Sequence, residues 1–387
     1  MKHKYISKRY WKSHKNAMGQ SDVIAKSYDD VINLSLGDPD INTPKPIIDA
    51  ALAAAYQGHT KYTAFQGDPE LIGAICKFYK EEYDMNISAE QVFVCSSATV
   101  GMHVVLESIL DDGDEVILQT PYFTPYPQQV KLSRGVPVEL PTYEEDEFQI
   151  NADRLESLIT ERTKALVINT PNNPTGSCLH FDTMKKIAAL AEKYDLIVIA
   201  DDIYTDYSYE NPFIPFASLP GMWERTITLN SFSKGFNMTG WRVGQIIAPE
   251  YLIDVFKDVN ENICFTTPSI SQRGAIYALE HRHELQPTLI EEYRTRVYYA
   301  AERINKISGM HVLYPPKGTF YLFPSIKETG KNSEEVADLM LREAHVLVLP
   351  GNAFGTCGEG YIRIACTVSL EKLKEAFDRI EKMEIFR

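Results

Sequence analysis

One lysine of the chain has neighbours that can make it chemically active. Lys234 lies in Asn230-Ser231-Phe232-Ser233-Lys234-Gly235-Phe236, followed by Gly240-Trp241-Arg242-Val243-Gly244. A loop lysine is ordinarily a hydrated surface group. One bracketed by serines, glycines and an arginine at a sheet edge can be partly desolvated, and a desolvated amine is a nucleophile. A carboxylate in Asp201-Asp202-Ile203-Tyr204 follows the apolar run 196–200, where a buried charge is costly unless it meets a cation. Ser96-Ser97-Ala98-Thr99 leads into a helical pattern, so helix amides and hydroxyls converge on one point suited to an anion. The same hydroxyls serve equally as helix caps.

Two further segments carry groups that recognise planar, polar ligands. Thr120-Pro121-Tyr122-Phe123-Thr124-Pro125-Tyr126 presents aromatic faces that stack on a planar ligand or simply fill core. Asn169-Thr170-Pro171-Asn172-Asn173-Pro174-Thr175-Gly176 is a breaker-rich loop whose asparagines can donate to a ring oxygen, with X-Pro bonds open to the cis form.

The elements that must position these groups read as strands and helices in alternation. Short β-branched runs at 92–95, 115–118, 165–168, 196–200 and 226–229 have strand length. Thr43-Pro44 opens one helix that Gly58 stops, and Asp68-Pro69 opens another with apolar residues at 71, 74, 75, 78 and 79. The pattern predicts an α/β unit, a mostly parallel sheet covered on both faces. The candidate groups fall just past the C-terminal ends of its strands, where open α/β sheets bind ligands. After Pro268 the pattern changes to a long charged helix over 284–308, strands at 311–313, 319–323, 346–349 and 361–365, and helices near 333–343 and 369–384. This predicts a smaller α+β unit. The expected division is an N-terminal arm and small-unit segment over 1–43, a large unit over 44–283 and a small one over 284–387.

Composition narrows the classes of function. At roughly 150 residues per domain, 387 residues make two or three structural units. With 44% hydrophobic and 24% charged residues the chain is far from the signature of disorder. A net charge of −14 repels polyanions, so nucleic acid is not expected as a partner. No run reaches the ~18 apolar residues of a membrane span, and the basic MKHKYISKRYWKSHK start has no apolar core. A cytoplasmic protein is expected. Six cysteines without a C-x-x-C read as reduced, mostly buried thiols, and no structural metal site is indicated. His281 and His283 read as surface histidines.

Taken in order, these motifs resemble the class I/II aminotransferases, the pyridoxal-phosphate (PLP) enzymes of the aspartate aminotransferase fold. Ser231-Phe232-Ser233-Lys234 with Gly240-Trp241-Arg242-Val243-Gly244 is similar to the family's cofactor-lysine signature. The other elements are Leu34-Ser35-Leu36-Gly37-Asp38-Pro39-Asp40, Tyr62 with Gly67, the 96–99 turn, 121–126, Asn173-Pro174-Thr175-Gly176, 201–204 and Ile362-Arg363-Ile364, so the resemblance spans roughly 30–370. No G-x-G-x-x-G, G-x-x-x-x-G-K-[ST] or G-x-S-x-G competes with it.

The resemblance implies fold type I: a seven-stranded-type, mostly parallel sheet between helices, plus a smaller α+β domain. It implies pyridoxal 5′-phosphate held by Lys234, which also moves the substrate proton. Asp201 pairs with the pyridinium nitrogen, Asn173 and Tyr204 donate to the ring's phenolic oxygen, and Phe123 stacks on the ring. The phosphate takes the Ala98 and Thr99 amides, Ser231, Ser233 and Arg242, while Arg363 grips the substrate carboxylate with Gly37 and Asn173 beside it. It also implies a homodimer in which Tyr62 reaches the neighbouring subunit's phosphate site.

Two residues depart from the family pattern. Ser97 stands where glycine is common in the phosphate turn, which matters little if its φ is negative. Thr99 stands where some aspartate-using relatives have a lysine, which weighs against aspartate as substrate. The expected activity is amino-group exchange between an L-amino acid and a 2-oxo acid. The alternatives are a PLP-dependent C–S β-lyase, which forms pyruvate and thiol without an oxo-acid partner, and a non-catalytic PLP or amino-acid sensor, which would bring an appended binding module. For such a module there is no room before residue 30.

Overall fold

The computed structural model describes residues 3–7 and 28–387. Most of the N-terminal basic run therefore lies outside the described residues.

A seven-stranded sheet organises the centre of the molecule. Its strands are β2 (Val92–Cys95), β3 (Glu115–Thr120), β4 (Val136–Pro141), β5 (Thr163–Asn169), β6 (Ile197–Asp201), β7 (Thr226–Ser231) and β8 (Gly244–Ile247). Their order is β2-β8-β7-β6-β5-β3-β4, and only β8 runs antiparallel to its neighbours. Apolar runs unbroken by polar residues reflect burial on both faces. Val116, Leu118, Val167 and Ile199 point into one core with Phe256, while Ile117, Leu166, Ile168 and Val198 point into another with Ile187. The five expected strands are present, each ending at or just past the expected residue. β4 and β8 were not expected: β4 is an edge strand punctuated by Pro137 and Pro141, and β8 is four residues opening on glycine, so neither carries an apolar run.

The second unit is built on shorter pieces. β9 (Tyr321–Leu322), β11 (Leu349–Pro350) and β12 (Ile362–Ala365) form an antiparallel sheet in the order β11-β12-β9. β1 (Ile32–Asn33) pairs in parallel with β10 (Val346–Leu347), which draws the segment after residue 28 onto this unit. The helices Arg282–Ile304, Ser333–Ala344 and Leu370–Ile380 close over a core of Tyr293, Val297, Phe320, Met340 and Phe377. The expected strand at 311–313 is a single bridge, His311 to Ser325, because Pro315 and Pro316 follow and supply no ladder donors. The expected run 346–349 is split into β10 and β11 at Val348, and 319–323 shortens to β9. All six cysteines are free; Cys95 and Cys366 are buried and the other four are half-buried. His283 is exposed, while His281 is half-buried and stacks on Tyr277 at 4.1 Å. Among the described residues no helix is long and apolar enough to cross a membrane.

Candidate active site

The C-terminal ends of β5, β6 and β7 open into one cavity of about 230 Å³, closed on its far side by Tyr321, Leu349 and Arg363 of the smaller unit. Asp201 is the last residue of β6, so its carboxylate is carried to the cavity by a strand whose other side chains are core. Tyr126 donates its hydroxyl to Asp201 Oδ2, while the buried Oδ1 has no partner. Burial pushes this carboxyl up to about 6, against the pull of the Tyr126 hydrogen bond. An acid held this way is poised to receive a cationic partner.

Lys234 enters from the short helix Phe232–Gly235 that follows β7. Its Nζ donates to the Gly37 carbonyl at 2.5 Å and lies 5.7 Å from the centre of the Phe320 ring. Burial lowers the amine below the ordinary lysine value, with Tyr321 and Asp38 opposing the shift. Gly37, itself part of the cavity lining, thus meets the lysine through its carbonyl. A Cβ at position 37 would overlap the Tyr321 hydroxyl, so the chain passes this point only as glycine.

Asn173 and Tyr204 line the same cavity. Asn173 is buried; its amide N–H donates to Asn169 Oδ1 at 2.8 Å, and both Thr170-Pro171 and Asn173-Pro174 are cis. Tyr204 donates to the Tyr321 hydroxyl at 3.2 Å. Phe123, half-buried, sets its ring edge to face against Tyr126 with centroids 5.6 Å apart.

Opposite Asp201 the cavity opens on the N-terminus of the helix Ala98–Ile109, capped by Ser97 Oγ, which accepts from Val100 N. Ala98 is buried and Thr99 exposed at this end. Ser231 Oγ accepts from Ser233 N at 3.1 Å, and exposed Arg242 donates to the Thr239 carbonyl at 2.7 Å. Ser97 does not keep the negative φ that would make it a harmless replacement for glycine. Its φ of +92° and ψ of 153° fall in a region essentially reserved for glycine.

Arg363 projects from the centre of β12, 5% exposed between buried Ile362 and Ile364. Nη1 donates to Asn173 Oδ1 at 3.0 Å, Nη2 donates to the Ser35 carbonyl, and Nε is buried without a partner. The guanidinium is gripped between Tyr321 and Phe354, 4.5 and 4.9 Å from their ring centres. A fixed planar cation with a spare donor is suited in geometry and charge to a carboxylate.

The sequence model of the family Aminotransferase class I and II matches residues 29–380. The chain belongs to this aminotransferase family. It is 43% identical over 366 residues to the aspartate aminotransferase of Pyrococcus abyssi, covering 93% of each chain. It is 38% identical over 364 residues to aromatic-amino-acid aminotransferase 2 of Thermococcus litoralis, again covering 93% of each. The structure of the aromatic aminotransferase from Pyrococcus horikoshii OT3 superposes with a TM-score of 0.89 at 39% identity, over 94% of this chain and 98% of that one.

In this aminotransferase all the site residues read from sequence except Tyr62 line the one cavity. Tyr62 is 80% exposed outside it, its ring edge-on to Phe265 at 4.8 Å. Tyr126 and Tyr321 are the lining residues whose contacts the sequence did not reveal. A larger cavity, about 470 Å³, lies behind Pro171 between Phe181 and Phe213, and its Lys317 and Glu210 neutralise each other at 2.7 Å.

Proposed function

We propose that the cavity binds pyridoxal 5′-phosphate and that the enzyme uses it to exchange an amino group between an L-amino acid and a 2-oxo acid. The observation that carries this reading is the buried, partnerless Asp201 Oδ1 in the same cavity as a half-buried lysine amine. Both groups suit that cofactor: a protonated ring nitrogen supplies Asp201 with its missing partner, and Lys234 offers the amine that binds the aldehyde. When bound, the cofactor supplies a ring that stabilises negative charge at the substrate Cα.

The chain's own residues do the rest. Asp201 keeps a pyridine nitrogen protonated, because an ionised carboxylate at this depth is stable only beside a cation. Asn173 and Tyr204 donate to the phenolic oxygen, and Phe123 covers the ring face. The helix start at Ala98 and Thr99, with Ser231, Ser233 and Arg242, holds the phosphate through amides, hydroxyls and one cation. Arg363 takes the substrate carboxylate on the Nε it leaves free. Lys234, its amine depressed by burial, accepts and returns the Cα proton.

The cavity lining has three cations, Lys234, Arg242 and Arg363, and each is engaged by one of these tasks. No further cation among the described residues of this chain lines the cavity, which favours neutral donors over aspartate. Two copies of the chain complete the enzyme: exposed Tyr62, Phe65 and Phe265 support a homodimer face from which Tyr62 reaches the phosphate end of the other site. Residues 28–43 and 284–387 form the unit that carries Arg363, and 44–283 the unit that carries Lys234. Free cysteines support a cytoplasmic location.

Borohydride reduction of the purified protein should fix cofactor on Lys234, and Lys234→Ala should lose about four orders of magnitude or more in turnover. Labelling of a different lysine would refute the site. Phenylalanine or tyrosine should outrun aspartate as donor by about tenfold or more in kcat/KM, and the reverse order would reject the neutral-donor reading.

A further inference from the structure

The reading of Lys234 as proton carrier leaves open what fixes its direction, since a four-carbon side chain reaches many places from one Cα. The turn immediately after Tyr204 bears on this. Tyr204 ends its run facing the cavity, and the next residues, Thr205–Tyr207, form a 3-10 turn behind the lysine. Tyr207 is fully buried, edge-on to Phe320 at 5.3 Å, and donates its hydroxyl to the Lys234 carbonyl at 3.0 Å. The Asn237 amide reaches the same carbonyl at 3.3 Å.

Asp206 lies against the next residue. A Cβ on Gly235 would overlap Asp206 Oδ2 and come within 2.9 Å of Gln286 Nε2. Gln286 is buried on the helix Arg282–Ile304, with its Nε2 beside the Asp206 carboxyl, which it lowers against the push of burial. Asp206 touches no cavity wall, and nothing in the proposed chemistry uses it. A half-buried acid whose carboxyl is pushed up to about 6 by desolvation is costly unless it does something for its surroundings.

We propose that Tyr207 and the Asp206–Gln286 pair clamp the backbone of residues 234 and 235 and so aim the Lys234 amine, acting as positioning residues that touch neither substrate nor cofactor. This rests on Lys234 being the proton carrier. The turn thereby serves two faces: Tyr204 toward the cavity, and Asp206 with Tyr207 toward the strand-to-lysine connection. Misdirection of a reacting group slows the step it performs without weakening the binding that other residues provide.

The test is Tyr207→Phe, which removes one hydroxyl, and Asp206→Asn, which keeps shape, both in the full-length enzyme. Each should lower kcat about five- to tenfold while KM for the amino donor stays within about twofold. In the full-length protein freed of cofactor, reductive methylation of Lys234 by formaldehyde and cyanoborohydride, mapped by mass spectrometry, should run at least about threefold faster as the amine is released. Gly235→Ala should lower kcat similarly and combine non-additively with Asp206→Asn, as contacting residues do. Unchanged methylation and kcat in both variants, or a shift in thermal stability or KM alone, overturns the clamp with the Lys234 reading intact. Turnover that survives Lys234→Ala overturns that reading, and the clamp with it.

Discussion

The two ends of the cavity are built differently. Around Asp201, Asn173 and Arg363 every group is buried and held by residues of the same chain: Tyr126 on Asp201, Asn169 on Asn173, Asn173 and Ser35 on Arg363. At the phosphate end Thr99 and Arg242 are exposed, and the chain also exposes the aromatics Tyr62, Phe65 and Phe265. The buried end is complete in one chain, and its charges are tuned by desolvation. The open end relies on amides, hydroxyls and one water-facing cation.

Substitutions at the buried end should do the most damage. Asp201→Ala should retain cofactor but lose about 10³-fold in turnover, since no other carboxylate among the described residues lines the cavity to keep a ring nitrogen charged. A near-normal rate would show that the buried end does not control the chemistry. Arg363→Lys should lower kcat/KM about 10²-fold for every donor alike, because a point charge cannot replace the fork held between Tyr321 and Phe354. A loss confined to one donor would move Arg363 from the shared carboxylate to the side-chain pocket.

The contrast between the ends is sharpest in mixtures. Tyr62→Ala mixed with Lys234→Ala under subunit exchange should restore one working site per heterodimer, about half of normal. Asp201→Ala mixed with Lys234→Ala should restore nothing, because both defects fall at the self-contained end. Recovery in neither mixture, with exchange demonstrated, would refute a shared site.

The smallest effect is on stability. Burial raises Asp201 from 3.8 to about 6, so in cofactor-free protein the unfolded chain ionises first as pH rises. Stability carried by the protonated carboxyl is full below about pH 4 and is lost as pH climbs through about 6. Asp201→Asn removes that dependence and should stabilise cofactor-free protein above pH 6 by about 3 kcal/mol, read as a thermal midpoint a few degrees higher, with no gain below pH 4. A gain at pH 4 equal to that at pH 7 would separate it from this carboxyl.

The same division describes how much the sequence disclosed. Lys234 and Asn173 were legible as polar residues in breaker-rich stretches after an apolar strand, and Asp201 as a carboxylate at the very end of one. Tyr126 and Tyr321 were not: each lies in an aromatic run that reads as core, and their hydroxyls find partners 75 and 117 residues away. β4 and β8 escaped notice because prolines and a glycine interrupt them, and their place in the sheet comes from neighbours. The φ of Ser97 could not be read from residue type, since serine there suggests an ordinary cap.

That serine sets an evolutionary bind. Glycine at position 97 would adopt φ +92° freely but would surrender the hydroxyl that accepts from Val100. Alanine would keep the strain and lose the hydroxyl as well. Glycine therefore stays the least strained occupant, and among the other residues drift is confined to those that supply a short side-chain acceptor, with asparagine and aspartate the most tolerant of positive φ.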